Sequence, residues 1–341
     1  MWKSGIKWMF LIVGTTIGAG YASGRELWQF FGAESGLAII LFGFLFALSC
    51  HVILTISKKR QSSDYLPVLR EIVGEKLAYL YDWMIIIYLF TTTVIMLAGS
   101  GATLQAFHFP NWWGILVISI PLILVFVWDI DGVLSFNSFI LPLLIVGLLS
   151  VLLTFALQQD LSFIPNLTKQ SNWTAAFPFT ALNILPLIAV LGAIGNEVKG
   201  KGEIWIASVG SGLILGLISY IYNNSLIQIS EQVLLYEIPL FAILHHYPYV
   251  MFLFISILLW LAIFTTAVSG TLGLVTRIRT MLKLPLWVLA GAIVLIMLPL
   301  TKIGFATLIE YLYPLYGLLN LYVLSALILY PILNRYKTGE K

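Results

Sequence analysis

The stretch from residue 14 to residue 26 contains the residue types of this chain that are best suited to binding a small ligand. It reads GTTIGAGYASGRE, with four glycines inside a long apolar segment and the charged pair Arg25 and Glu26 just beyond. Glycines spaced four apart also let helices pack closely, so helix packing is an alternative interpretation. Together with Thr15 and Thr16, the glycines also suit a membrane span that unwinds. Unwound backbone at membrane depth is tolerated only where it lines a cavity or is buried in protein. Unwound backbone offers N–H groups to an anion and carbonyl oxygens to a cation.

A second apolar segment, residues 175–198, carries another interruption signal. Asn183 and Pro186 fall near its middle, and a proline frees a backbone carbonyl one turn earlier. A lone proline is also compatible with a simple kink. Interruptions at corresponding places in two halves of a membrane protein are the best sequence indication of a transporter binding site.

The composition indicates that membrane-spanning helices position these residues. Of 341 residues, 60% are hydrophobic and 10% are charged, against about 45–50% and about 25% in soluble domains. The net charge of +3 is too small and dispersed to suggest a nucleic-acid partner. The four histidines are scattered and Cys50 is the single cysteine, so no metal or nucleophilic constellation indicates an enzyme. The chain is predicted to be an all-α polytopic membrane protein in a lipid bilayer.

About ten apolar segments are long enough to cross a bilayer. We place them at residues 6–31, 36–57, 79–106, 112–128, 133–157, 175–198, 204–228, 248–277, 284–300 and 306–333. The basic residues concentrate on the side that holds both ends of the chain, and the positive-inside rule makes that side the cytoplasm. The first segment also resembles a signal peptide with a cleavage site after residue 22, an alternative that charge counting does not remove.

Two connecting segments have features of their own. Residues 62–76 contain Ser63 and Asp64 as N-cap candidates and Gly74 as a stop, with apolar residues at helical spacing between them. They predict a short amphipathic helix on the inner membrane surface. Residues 230–246 are interrupted by Pro239 and predict an outer helical hairpin. That hairpin is either a lid or an ordinary structured loop.

The sequence resembles a known group of membrane proteins in several places. Residues 14–20, GTTIGAG, match the Gly-x-x-Ile-Gly-x-Gly pattern of the broken first helix of the LeuT-fold, amino acid–polyamine–organocation superfamily. Residues 31–36, 197–199 and 261–266 resemble the turn into helix 2, the end of helix 6 and the helix 8 segment. Within that superfamily the chain resembles the YkvI-type bacterial membrane proteins. The resemblance implies a LeuT-like five-plus-five inverted repeat with helices 1 and 6 broken, the repeats covering about residues 6–157 and 175–333.

The resemblance also implies roles for individual residues. Backbone N–H groups of Gly18, Ala19 and Gly20 would hold a substrate carboxylate, with Thr15 and Asn183 beside the substrate. Arg25 and Glu26 would belong to an outer gate. A sodium site would be formed by the carbonyls of Gly14, Ile17 and Ala262 and by the hydroxyls of Thr265 and Thr266. Without the resemblance, these two hydroxyls would be interpreted as bonding back to their own helix.

The predicted function is secondary active transport of a small solute across a bacterial inner membrane, with no cofactor beyond a possible sodium ion. An amino acid or a related compound is the expected solute. Thr15 and Tyr21 stand where sodium-coupled members carry asparagines, which argues against a second sodium site. Two alternatives stay open: a LeuT-fold nutrient receptor that binds without transport, and a non-transporting membrane scaffold or channel.

Overall fold

The computed structural model describes residues 2–127, 130–161, 170–279, 282 and 284–338, and no strand occurs within these ranges. The sixteen α-helices described in them are α1 (Trp2–Thr16), α2 (Ala19–Ala22), α3 (Arg25–Phe30), α4 (Gly36–Arg60), α5 (Leu66–Val73), α6 (Glu75–Gln105), α7 (Asn111–Val125), α8 (Ile130–Gln158), α9 (Ala176–Ala193), α10 (Lys201–Gln228), α11 (Ser230–Val233), α12 (Leu240–Leu244), α13 (Tyr249–Arg279), α14 (Leu286–Met297), α15 (Phe305–Leu319) and α16 (Leu321–Thr338). Short 3-10 turns precede α9 and follow α14.

The prediction of a multi-pass helical membrane protein is confirmed. Seven helical runs in the described residues are long and apolar enough to cross a membrane, and Asn111–Val125 and Pro142–Gln158 are shorter apolar helices. Large apolar side chains such as Phe44, Leu213 and Leu295 are exposed on the outer surface of the bundle, as lipid-facing residues are. Three of the basic residues used for orientation, Lys169, Lys283 and Lys341, lie outside the described residues.

The long helices pack in two groups. In the first, α4 lies between α9 and α10, and α1 packs on α10 and α9. In the second, α6 packs on α7 and α13, and α13 also contacts α8 and α14. The glycines at positions 43 and 212 bring α4 and α10 into close contact, because a Cβ at residue 212 would overlap the carbonyl oxygen of residue 43. Helix α15 connects the groups by packing on both α9 and α6.

The first span is interrupted where the glycine pattern predicts. Helix α1 ends at Thr16, Gly18 has an extended backbone, and α2 forms a single turn before Gly24 turns the chain into α3. Gly24 has φ +79°, a conformation that a side chain at this position would strain. The break is therefore encoded by glycines at the two positions where the backbone leaves helical geometry.

The break predicted at Asn183 and Pro186 is wrong in this structure. Helix α9 continues through both residues and ends only at Ala193. The Nδ2 group of Asn183 donates to the carbonyl of Phe179, one turn earlier, at 2.9 Å, so this side chain is bonded within its own helix. Pro186 removes one helical donor, which neighbouring packing in a transmembrane helix tolerates. After Ala193 the chain turns through residues 194–200 before α10 begins.

The short helix predicted within residues 62–76 is confirmed as α5. The carboxylate of Asp64 accepts a hydrogen bond from the backbone N–H of Leu66 at 2.8 Å, and Gly74 ends the helix with φ +82°. The apolar side of α5, however, packs against α4, α6, α9 and α16, with Val68 and Leu69 fully buried. The expectation that it lies on the membrane surface is corrected, because its apolar residues are covered by protein.

The hairpin predicted within residues 230–246 is present as α11 and α12. Every residue of α12 is buried. The backbone N–H of Leu240 donates to the carbonyl of Ser23 at 2.9 Å, and the Glu237 carboxylate accepts hydrogen bonds from the N–H groups of Phe305 and Ala306 at 2.8 and 3.2 Å. The hairpin thus joins the α2–α3 turn to the start of α15.

Candidate functional site

The break between α1 and α2 leaves backbone groups without helical partners. The backbone N–H of Ile17 donates to the carbonyl of Val13, and that of Gly18 donates to the carbonyl of Thr16. No described backbone N–H therefore donates to the carbonyl of Gly14 or to that of Ile17. On the other side of the break, the N–H groups of residues 19 and 20 begin α2 and donate in no backbone hydrogen bond described between elements. Carbonyls with a partial negative charge and N–H groups with a partial positive charge therefore lie at one place.

Space for a ligand lies beside Gly18. A Cβ placed on this residue would meet no atom within 4 Å, and the residue is only partly buried. Its neighbours Ala19 and Gly20 are buried. The hydroxyl of Thr15 turns away from the break and donates to the carbonyl of Leu11 at 2.8 Å. The backbone, more than the threonine side chain, is thus available at the break.

Helix α10 holds the interrupted segment in position. The Tyr21 hydroxyl forms a hydrogen bond with the Ser219 hydroxyl at 2.7 Å, and the Tyr222 hydroxyl donates to the carbonyl of Ala22 at 2.9 Å. Tyr222 also packs where a side chain on Gly24 would lie. These α10 residues were not predicted from the sequence. Their signal is a polar run, SYIYNNS at residues 219–225, inside an otherwise apolar span.

The structure separates the two residues predicted to form a gate. The guanidinium of Arg25 faces the Glu310 carboxylate of α15 at 4.0 Å, and the Arg25 side chain is 13% exposed. The neighbouring Glu26 points the other way and is buried. A Cβ on Gly20 would overlap the Glu26 oxygen Oε1, so this carboxylate lies directly against the broken segment.

The residues of the predicted sodium site belong to α13 and to the end of α1 with the residue that follows it. The hydroxyls of Thr265 and Thr266 both donate to the carbonyl of Ala262, at 3.1 and 2.7 Å. Ala262 and Thr265 are buried, and α13 packs against α2. No backbone hydrogen bond joins Ala262 to Gly14 or Ile17 in the described residues. The oxygen of a hydroxyl that donates to its own helix can still coordinate a cation through its lone pairs.

The other predicted substrate residue, Asn183, is 9% exposed and lies on α9, which packs against α1. Its amide nitrogen bonds Phe179, which leaves the amide oxygen available as an acceptor. At the opposite end of α1 from the break, Lys7 donates to the Glu197 carboxylate at 3.3 Å, and both side chains are exposed. Ion pairs thus lie on both sides of the broken segment along the first span.

Two relatives match nearly the whole chain. No family model matches the chain. The uncharacterized protein YyaD of Bacillus subtilis (strain 168) is 49% identical over 337 residues, which cover 99% of this chain and 100% of that protein. The uncharacterized membrane protein YkvI of the same organism is 24% identical over 328 residues, or 94% of each chain.

Solved structures with the same fold are those of transporters. The crystal structure of MhsT in complex with L-phenylalanine matches with a TM-score of 0.63 at 14% identity, covering 95% of this chain and 88% of that one. The inward-facing conformation of Mhp1 matches with a TM-score of 0.55 at 14% identity, and a manganese transporter of Eremococcus coleocola with 0.54 at 16%. These two matches cover 94% and 95% of this chain and 74% of each of the other chains. The chain therefore belongs to the family of YyaD, is similar to YkvI, and has the LeuT fold.

Proposed function

We propose that this protein is a secondary active transporter of a small solute, an amino acid or a related compound, and that it works by alternating access. The proposal includes ten membrane crossings in two inverted five-helix repeats, residues 6–157 and 175–333. It also places the protein in the bacterial inner membrane with both termini in the cytoplasm, following the distribution of basic residues.

The observation that carries the proposal is the interruption of the first span beside open space. A membrane-spanning segment that leaves helical hydrogen bonding is costly unless its free groups bind something or are buried in protein. Here the free N–H groups of Ala19 and Gly20 suit a carboxylate, and the space beside Gly18 can receive it. Thr15 and Asn183 complete the proposed substrate site.

The two ion pairs suit the gates that alternating access requires. We assign the Arg25–Glu310 pair to the outer end and the Lys7–Glu197 pair to the inner end of the pathway. A solute that binds the closed form better than either open form would shift the population towards closure. The α11–α12 hairpin is proposed as the lid, because Leu240 is bonded to the broken segment through Ser23.

Sodium is proposed as a coupling ion at Gly14, Ile17, Ala262, Thr265 and Thr266. The support is the donor set: two hydroxyls and three carbonyls, all neutral oxygens, of the kind that a hard cation prefers. No cluster of metal-binding His, Cys, Asp or Glu occurs in the described residues, so backbone and hydroxyl oxygens are the ligands to test. Two of those carbonyls, at residues 14 and 17, lack backbone donors.

The test is the thermal stability of the detergent-purified protein against a panel of amino acids, each in sodium chloride and in potassium chloride. A ligand that binds only the folded state raises the unfolding midpoint by mass action. We expect one amino acid class to raise it, and to raise it further in sodium. No shift with any amino acid would contradict the proposed solute class.

Binding and transport are then separated with proteoliposomes. A transporter accumulates the stabilising amino acid inside the vesicles, whereas a receptor of the same fold binds it without accumulation. A scaffold built on glycine-packed helices shows neither saturable binding nor uptake. Equal sodium and potassium responses would remove sodium from the proposal without removing the transporter.

A further inference from the structure

Glu26 is a buried acid inside the first span, next to the broken segment. The residue is 8% exposed, and its carboxylate lies against Gly20, the last of the three residues that we assign to substrate binding. A glycine at position 20 is required by this arrangement, since a Cβ there would overlap Oε1 of Glu26. The acid is therefore placed at the proposed solute site and away from the lipid.

Among the residues that the structure describes, no positive group forms an ion pair with this carboxylate. The neighbouring Arg25 faces Glu310, and in the described part of the chain Glu26 takes part in neither an ion pair nor a hydrogen bond. An ionised carboxylate that is removed from water without a partner is costly, and ionisable groups inside membrane spans are usually functional. A bound proton removes the charge without requiring any movement of the protein.

The groups that face Glu26 are phenols. Tyr21 of α2, Tyr88 of α6 and Tyr313 of α15 are each within electrostatic range of its carboxylate. The Tyr21 hydroxyl is engaged with Ser219 of α10, and Tyr222 of the same helix bonds Ala22. Helices α2, α10 and α15 are the elements that pack on α3, and they contribute no lysine or histidine beside Glu26. The carboxyl is thus the most acidic group of this cluster, since phenols lose their proton only at about pH 10 in water.

We propose that Glu26 is the residue at which the protein binds and releases a proton, so that solute movement is coupled to a proton gradient. The proton comes from the aqueous phase on one side, adds to a carboxylate oxygen of Glu26, and leaves to the other side after the gates exchange. This inference rests on the proposed transport function. It is independent of sodium, because Glu26 is not among the five proposed sodium ligands.

Charge movement on a solid-supported membrane tests the proposal directly. Proteoliposomes are adsorbed and exposed to a jump between about pH 8 and about pH 6 without any solute, so no knowledge of the substrate is required. We expect a capacitive current from proton binding in the wild type, its loss in Glu26→Gln, and its retention in Glu75→Gln. Glu75 is the control because it is an acid outside the proposed pathway that has a cation, Arg70, beside it at 3.5 Å.

A wild-type current that persists in Glu26→Gln would overturn the proposal, as would the absence of a current in the wild type. Infrared difference spectra of the wild type alone provide a second measurement if the glutamine variant does not fold. A protonated carboxyl band must appear between the two pH values, and its absence would also overturn the assignment. Failure of the transport function looks different: the pH-jump current is present, but no solute is accumulated.

Discussion

The carboxylate of Glu26 occupies the volume that a side chain on Gly20 would need. Because Gly20 has no side chain, the buried carboxylate of Glu26 fits against the broken segment. This relationship connects the two functional parts of the first span, because Gly20 belongs to the proposed solute site and Glu26 to the proposed proton site.

Gly20→Ala is expected to destabilise the folded protein by about 1–3 kcal/mol, because the added methyl group overlaps Glu26 in a packed interior. Thermal unfolding in detergent measures the change. Gly18→Ala is the matched control, since a methyl group there meets open space and should change stability by less than about 0.5 kcal/mol. Equal effects of the two substitutions would show that Gly20 is not crowded by the acid.

Thr265→Val is expected to remove most of the difference between sodium and potassium in the thermal-shift assay. The substitution keeps the shape of the side chain but removes the oxygen that we assign to the cation. Thr276→Val is the control, because Thr276 makes the same type of bond to its own helix, to Leu272, at an exposed position of α13. An unchanged sodium response in Thr265→Val would argue against the site.

Glu310→Gln is expected to weaken the outer closure, because it removes the negative partner of Arg25. A cysteine placed at Thr15, with Cys50 replaced by serine, should then react with a maleimide several-fold faster in the detergent-purified protein. The exposed Glu75, which lies outside the proposed pathway, provides a control substitution to Gln with no expected effect. The same labelling rate in all three proteins would exclude the pair as a gate.

The stability of the α4–α5–α16 contact is expected to fall in acid. Burial raises the pKa of the Glu71 carboxyl, but hydrogen bonds from Arg60, Tyr330 and Lys59 lower it by more, so the net shift is downward. A carboxyl whose pKa is lower in the folded state stabilises the fold above its unfolded pKa of about 4.3. That contribution is lost as the pH falls through the lowered folded value.

Unfolding midpoints measured against pH check this expectation. Glu71→Gln should be less stable than the wild type near neutral pH and equal to it in strong acid. Glu75→Gln, which removes an exposed acid paired with Arg70 at 3.5 Å, should show little of this pH dependence. A constant difference between wild type and Glu71→Gln at every pH would mean that the carboxylate charge is not what stabilises the contact.

Local signals in the sequence were sufficient for the break in the first span and for α5. Gly18 and Gly24 stand where the backbone leaves helical geometry, and Asp64 and Gly74 are at the ends of α5. The same kind of signal failed at Pro186, because tertiary packing can keep a helix continuous through a proline.

Long-range partners could not be predicted from the sequence. Arg25 and Glu310 are separated by most of the chain, and the family resemblance placed Arg25 with its neighbour Glu26 in the predicted gate. Adjacent residues of a helix point in different directions, and only the packing of α3 against α15 decides which acid meets the guanidinium. Tyr222 was missed for the same reason, since its contact with Ala22 depends on how α10 packs.

The most direct test of the central claim, that the broken first span binds a transported solute, is uptake by proteoliposomes that carry Gly18→Leu. The leucine fills the space beside the break, whereas Gly200→Leu adds the same side chain at another glycine with open space. We predict saturable uptake of the stabilising amino acid by the wild type and by Gly200→Leu, and none by a folded Gly18→Leu protein. Undiminished uptake by Gly18→Leu would contradict the account.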